Sequence, residues 1–132
     1  MMQKIHILWA DDEIDFLRPH ILLLEERGYR VKTVNNGNDA VEAFQNEPFD
    51  LVFLDENMPG KTGLETLVIL KTINPTIPTV LVTKNEEEHL MEDAIGSKID
   101  DYLIKPVNPK QILLTIKKFT ENKRLVSEKT SM

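Results

Sequence analysis

Short apolar runs alternate five times with segments of helical periodicity, and this alternation limits the possible folds more than any other feature of the chain. The predicted strands are Ile5–Ala10, Tyr29–Val34, Asp50–Asp55, Thr79–Thr83 and Tyr102–Ile104. The second alternates apolar and charged residues, which is typical of a strand near a sheet edge, whereas the third is almost wholly apolar until Asp55, which favours a central position. Strands and helices in strict alternation form parallel βαβ units with helices on both faces of one sheet. The sequence therefore predicts a three-layer α/β domain with a five-stranded parallel sheet.

Breakers and capping residues mark the predicted helix boundaries. Helical spacing begins at Ile14, Ala40, Leu64, Glu86 and about Asn108, and the stop and cap signals are Gly28, Asn35–Asn38, Pro48, Asn74–Pro75 and Asn108–Pro109. Glycine after a helix and proline in a first turn suit these positions. After about Lys123 the regular pattern fades. We therefore expect a domain over residues 4–122, followed by a polar tail at 123–132 or the start of a linker.

Length, charge and composition limit the possible functions. A chain of 132 residues fits one domain, and a net charge of −6 argues against binding of nucleic acid by this domain. The absence of cysteine excludes disulfides and thiolate metal sites, and no apolar stretch approaches the ~18 residues of a membrane span. The chain is therefore expected to be soluble, cytoplasmic and without membrane contact.

Polar side chains follow four of the predicted strands at their carboxyl ends. They are Asp11 and Asp12, Asp55, Thr83, and Lys105. Ligands of parallel α/β sheets bind at this edge. Clustered carboxylates require a cation, and a set of oxygen ligands without histidine or cysteine suits Mg²⁺. A hydroxyl and an ammonium group are donors to phosphoryl oxygens, so the pattern indicates phosphoryl transfer to a carboxylate, that of Asp55.

Four motifs together resemble a known family. Trp9–Glu13 is similar to its acidic pocket, Leu54–Gly60 to its phosphorylation loop, Val82–Thr83 to its switch position and Asp101–Pro106 to its fifth strand. The chain resembles the response-regulator receiver domain of the CheY-like kind over residues 4–122. The resemblance implies the flavodoxin-like (βα)5 fold with strand order 2-1-3-4-5. In detail, the motifs look most like the N-terminal receiver of PorX-type regulators.

The resemblance also assigns roles to individual residues. Asp55 is the expected phosphoacceptor, and Thr83 and Lys105 are expected to hold the phosphoryl oxygens. Mg²⁺ is expected to be bound directly by Asp12 and Asp55, through water by Asp11, and by the backbone carbonyl of Asn57. The Lys105–Pro106 peptide is expected to be cis. Tyr102 is the aromatic residue expected to turn inward when Thr83 moves.

Partners follow from the same resemblance. A sensor histidine kinase or a phosphotransfer protein would supply the phosphoryl group. The fourth helix, fifth strand and fifth helix would form a face that switches, dimerises or contacts an effector. An effector domain would lie beyond residue 132. The domain would be a signalling module that catalyses only its own phosphorylation and dephosphorylation.

Two places depart from the family pattern. Lys84 follows the switch threonine where a small residue is usual, so it is expected to crowd the phosphoryl entrance or to add a second cation there. Asn85 and Asn57 are further residues expected to tune access. Gly96–Ile99 replaces a common Gly-Ala pair, so the exit of the fourth helix is expected to differ.

Two other functions remain open on the sequence. A pseudo-receiver would bind a protein partner without using phosphate, but it usually lacks a pocket residue, and none is missing here. An aspartate-dependent phosphohydrolase would carry Asp-x-Asp on its first strand, whereas Asp11 and Asp12 are adjacent. His6, His20 and His89 have no spacing typical of metal ligands and are expected to be structural or surface residues.

Overall fold

The computed structural model describes residues 4–84 and 99–131, with side chains described up to residue 121. The strands are β1 His6–Ala10, β2 Arg30–Val34, β3 Leu51–Asp55, β4 Thr79–Thr83 and β5 Asp101–Ile104. A 3-10 turn at Ile14–Leu17 precedes α1 Arg18–Glu26, and α2 Gly37–Asn46, α3 Gly63–Ile73 and a C-terminal helix Pro109–Ser131 follow along the chain. The predicted fourth helix, with Asn85, His89 and Gly96–Lys98, lies outside the described residues.

All five strands are parallel and their order is β2-β1-β3-β4-β5. This confirms the predicted sheet, with β3 at its centre and β2 at an edge. The register pairs Leu54 with Ala10, Asp55 with Val82 and Thr83 with Ile104. The carboxyl ends of β1, β3, β4 and β5 therefore lie side by side, as the positions of the polar residues predicted.

Apolar side chains on the two faces of the sheet form separate cores. One includes Leu8, Leu54 and Leu81 together with buried residues of α2 and α3. The other includes Trp9 and Phe53 together with buried residues of α1 and the C-terminal helix. Strands with alternate residues buried on opposite faces require helices on both sides. The described chain therefore has the three predicted layers.

Helix ends agree with the boundary signals in the sequence. Asn36 caps α2 by accepting a hydrogen bond from the Asp39 amide, and Gly28 has a φ of 92° after α1, a left-handed conformation that favours glycine. Thr62 caps α3 in a reciprocal capping box with Glu65, which was not predicted from the sequence.

Two boundaries differ from expectation. The first helix begins as a 3-10 turn, because Pro19 suits only the first turn of the α-helix that follows. The C-terminal helix runs to Ser131, past the predicted end of regular structure near Lys123. Residues 121–131 contain no proline or glycine and are mostly good helix formers, so helix continues where the apolar period has faded. Among the described residues, no helix is long and apolar enough to cross a membrane.

Candidate functional site

Three carboxylates meet at the carboxyl edge of the central strands. Asp55 is the last residue of β3 and is 4% exposed, Asp11 follows β1 and is fully buried, and Asp12 is exposed. One oxygen from each lies within 4.8 Å of the others. Oxygen donors at this separation fit a hard divalent cation such as Mg²⁺, with Asp12 on the solvent side. The predicted acidic cluster is therefore present.

Lys105 reaches this cluster from the end of β5. Its Nζ lies 3.0 Å from Asp11 Oδ2 and 3.3 Å from Asp55 Oδ1, and its side chain is 12% exposed. The Lys105 amide donates to the carbonyl of Thr83, and the Lys105–Pro106 peptide is cis, as predicted. The ammonium group is thus held beside the two buried carboxylates.

The electrostatics of the pocket raise the pKa of Asp55 in the metal-free protein. The pKa of Asp55 is raised to about 7, chiefly by burial and also by the charge of Asp11 and a hydrogen bond with Asp12, while Lys105 acts in the opposite direction. Burial opposes the charge of Lys105, but its bonds and charge interactions with Asp11 and Asp55 outweigh that effect and raise its pKa. One ammonium group therefore does not balance this acidic cluster, which fits the binding of a further cation.

Backbone contacts fix the loops that carry the carboxylates. The Glu13 amide donates to Asp11 Oδ1 at 2.8 Å, and the Asp11 amide donates to the carbonyl of Val34. After β3, the Glu56 amide donates to the carbonyl of Val82. Gly63 begins α3 so close to this strand end that an added Cβ would lie 2.5 Å from the Asp55 carbonyl oxygen. The start of α3 therefore packs directly on the backbone of Asp55.

The other predicted site residues lie around the same edge. Thr83 ends β4 and is 3% exposed, while Asn57, in the loop after β3, is exposed. Tyr102 on β5 is 38% exposed and therefore partly accessible to solvent in this structure. Lys84 is exposed and its Nζ lies 3.2 Å from Glu13 Oε1. Asn85 lies outside the described residues.

Two functional features were missed in the sequence. One is the contact of Gly63 with the backbone of Asp55, for which the only signal was a small residue at a helix start. The other is the ion pair of Glu13 with Lys84. The sequence indicated it only by placing opposite charges just after β1 and β4. His6 lies apart from the site: its Nδ1 is 3.0 Å from the carbonyl of Pro48, in agreement with the structural role predicted for it.

The chain belongs to the response regulator receiver domain family, whose pattern it matches over residues 7–117. Among curated relatives, the transcriptional regulatory protein ZraR of Klebsiella oxytoca is 37% identical over 93% of this chain and 28% of its own length. The alginate biosynthesis transcriptional regulatory protein AlgB of Pseudomonas syringae pv. tomato is 36% identical over 90% of this chain and 27% of its own. The chain thus spans less than a third of these relatives.

Solved structures agree with this assignment. A CheY-like receiver domain protein from Methanospirillum hungatei superposes with a TM-score of 0.85 at 28% identity, covering 92% of this chain and 98% of the other. The BeF3-activated DrrB receiver domain gives 0.80 at 28% identity, covering 89% and 98%. The family and the CheY-like fold are therefore established for this chain, which is a signalling domain.

Proposed function

We propose that this domain is a phosphorylation-operated switch in which Asp55 accepts a phosphoryl group from a histidine kinase or a phosphotransfer protein. The observation that carries the proposal is the position of Asp55, buried at the end of the central strand, 3.3 Å from Lys105 and beside Asp11 and Asp12. A lone carboxylate at a strand end is a common turn residue, but one that shares a buried pocket with a cation and two further carboxylates fits phosphoryl chemistry.

Each residue contributes to one displacement at phosphorus. An Asp55 carboxylate oxygen forms the new P–O bond while the bond from phosphorus to the imidazole nitrogen of the donor breaks, and that nitrogen keeps the electron pair. The Lys105 ammonium and the Thr83 hydroxyl stabilise charge on the phosphoryl oxygens. Asp12, Asp55 and the Asn57 carbonyl would hold Mg²⁺ directly and Asp11 would hold it through water, and the ion would supply further positive charge. Hydrolysis by water reverses the switch, so the domain catalyses its own phosphorylation and dephosphorylation.

The output of the switch is a population shift. Phosphorylation draws Thr83 toward the pocket, and Tyr102, which is partly exposed before phosphorylation, fills the space behind it. The face that responds would consist of β5, the C-terminal helix and the predicted fourth helix, which lies outside the described residues, and it would act through dimerisation or contact with an effector domain beyond residue 132. The relatives ZraR and AlgB carry names of transcriptional regulators and are much longer than this chain, which supports an effector of that class. Contact with DNA would belong to that effector.

Formation of an acyl phosphate tests the proposal directly. The protein is incubated with Mg²⁺ and acetyl phosphate, and intact mass is measured after acid or base treatment. We expect one added phosphoryl group that is stable in acid and lost in base, and none on Asp55→Ala. Beryllofluoride with Mg²⁺ gives a second readout through Trp9, which is fully buried on β1. No adduct on the wild type, or an undiminished adduct on Asp55→Ala, would disprove the proposal.

The same experiment separates the two alternatives. A pseudo-receiver would give no adduct and no change in Trp9 fluorescence on addition of Mg²⁺. A phosphohydrolase would turn over a phosphomonoester many times without a lasting adduct. The pocket residues Asp11, Asp12, Asp55, Thr83 and Lys105 are all present, which favours the switch over the pseudo-receiver. The narrower similarity to PorX-type regulators and the cytoplasmic location stay predictions.

A further inference from the structure

Lys84 and Glu13 form an ion pair that the proposed phosphoryl chemistry does not use. Lys84 Nζ lies 3.2 Å from Glu13 Oε1, and the two residues are 71 positions apart in the chain. Lys84 follows the end of β4, and Glu13 lies two residues beyond Asp11 in the loop after β1. The pair therefore connects two loops of the phosphorylation site.

The sheet order places this pair across the end of β3. In the order β2-β1-β3-β4-β5, β3 lies between β1 and β4. Two strand spacings separate β1 from β4, a distance of about 10 Å that one lysine and one glutamate side chain together can cover. Because β3 ends at Asp55, a contact between the flanking loops passes over the carboxyl edge at that residue.

Exposure shows that the pair lies on the solvent side of the pocket. The Asp55 side chain is 5% exposed, whereas the side chains of Lys84 and Glu13 are 64% and 44% exposed. The Asp55 carboxylate is therefore less accessible to solvent than the two side chains of the pair.

The backbones at both ends of the pair are held, so only the side chains need to move. The Glu13 amide donates to Asp11 Oδ1, and the Phe16 amide donates to the Glu13 carbonyl at 2.9 Å. On the other side, Lys84 follows Thr83, whose carbonyl accepts a hydrogen bond from the Lys105 amide. Rotation of two exposed side chains is a fast motion that leaves the pocket intact.

We propose that Lys84 and Glu13 form an ionic strap over the route to Asp55. The strap slows phosphoryl entry from small donors and slows attack of water on phosphorylated Asp55. This inference rests on the proposed function and adds the residue pair that sets the rates of the site. Exposed ion pairs are weak, so opening the strap is expected to raise both rates about two- to five-fold.

Acetyl phosphate is the probe for entry. An Asp55 oxygen forms a bond to phosphorus, the bond from phosphorus to the acetate oxygen breaks, and acetate leaves with the electron pair. Initial rates of adduct formation are measured by intact mass for the wild type, Lys84→Ala, Glu13→Gln and the double variant, with Mg²⁺ at saturation. We expect both single variants to react faster and the double variant to match them, since each change opens the same strap.

Matched variants separate the strap from general effects of charge. Lys118→Ala removes a lysine whose side chain is 62% exposed and which pairs with Asp101 at the amino end of β5, away from the carboxyl edge that holds Asp55. This variant is expected to leave the rate of adduct formation unchanged. The exchange Glu13→Lys with Lys84→Glu rebuilds the pair in reverse and is expected to restore the slow rate. Raised salt is expected to speed the wild type toward the variants.

Several outcomes would overturn the strap. If Lys84 served mainly to attract anionic donors, Lys84→Ala would react more slowly than the wild type. Additive effects in the double variant, or a charge exchange that stays fast, would show that the pairing itself does not matter. Equal rates in all variants would overturn the strap alone, whereas no adduct on the wild type would overturn the proposed function and the strap together.

Titration of Trp9 fluorescence with Mg²⁺ checks that each variant is folded, and Lys84→Met replaces Lys84→Ala if the latter is not.

Discussion

Lys105 Nζ lies 3.3 Å from Asp55 Oδ1, although β4 separates the strands that carry these residues. The same ammonium group contacts Asp11 at 3.0 Å. A cation already lies among the carboxylates before any metal binds, so Lys105 and a metal ion share the same negative charge. In the proposed function Lys105 would therefore have two opposed effects: it would stabilise the phosphoryl group and repel Mg²⁺.

Lys105→Met is expected to bind Mg²⁺ several-fold more tightly than the wild type, because the repulsion between the two cations is removed while the carboxylates remain. The same variant is expected to lose most of its response to beryllofluoride, since it lacks the ammonium group proposed to donate to the phosphoryl oxygens. Both quantities are measured by Trp9 fluorescence. Lys118→Met serves as the control, because Lys118 pairs with Asp101 away from the pocket. Weaker Mg²⁺ binding in Lys105→Met would contradict this account.

Asp55→Asn is expected to stabilise the metal-free protein at neutral pH. The pKa of Asp55 is raised from 3.8 to about 7 in the folded state. The folded protein therefore binds more protons than the unfolded chain between these values, and its stability falls as pH rises through that window. Asp55→Asn is expected to have the same free energy of unfolding as the wild type below about pH 4. The difference in favour of the variant grows toward pH 7 and is constant above it, at roughly 1–3 kcal/mol.

Urea unfolding in EDTA at about pH 5 and pH 8 measures this difference. Mg²⁺ supplies the control, because an ion that binds only the folded protein stabilises it. Excess Mg²⁺ is expected to stabilise the wild type more than Asp55→Asn. At the higher pH it should therefore reduce or reverse the difference in free energy of unfolding between the two proteins. A gap that does not change with pH would count against a raised pKa.

Gly63→Ala is expected to impair phosphorylation more than its effect on stability explains. The new Cβ would lie 2.5 Å from the Asp55 carbonyl oxygen and 2.9 Å from Leu81 Cδ1, so α3 or the end of β3 has to shift. Overpacking of this kind costs roughly 1–3 kcal/mol. Thr62→Ala is the matched control: it removes the cap of the same helix at a cost of about 1 kcal/mol without pushing on Asp55. Acetyl phosphate labelling and urea unfolding of both variants give the comparison, and equal labelling rates would show that Asp55 tolerates the shift.

The positions of the site residues were predictable because strand ends are visible in a sequence. Asp55 and Thr83 each end an apolar run, and parallel strands bring such ends to one edge. The cis peptide before Pro106 followed from family resemblance, not from the residues themselves.

The pairings of individual side chains could not be predicted from the sequence. Lys105 was predicted to face the pocket, but its double contact with Asp11 and Asp55 depends on how far a four-carbon chain extends across β4. The bridge from Lys84 to Glu13 depends likewise on rotamers of two exposed side chains. The full length of the C-terminal helix was not predicted for another reason. Its final turns consist of residues that favour helix but lack an apolar period, and the prediction relied on apolar periodicity.

Tyr102 is expected to move from solvent into the protein on activation, and only when Thr83 can respond. Tyr102 is 38% exposed here, whereas Thr83, on the neighbouring strand, is 3% exposed. Fluorotyrosine labelling in a Tyr29→Phe background leaves Tyr102 as the one labelled residue, because the chain has two tyrosines. Beryllofluoride with Mg²⁺ is expected to shift and broaden its ¹⁹F resonance as the ring enters a packed environment. Thr83→Ala is expected to bind beryllofluoride, as measured by Trp9 fluorescence, with little change at Tyr102, because it lacks the hydroxyl that is proposed to link the phosphoryl group to β4. A full Tyr102 shift in Thr83→Ala would show that the ring responds to the pocket by another route, and no shift in the wild type would leave Tyr102 as a surface residue of β5.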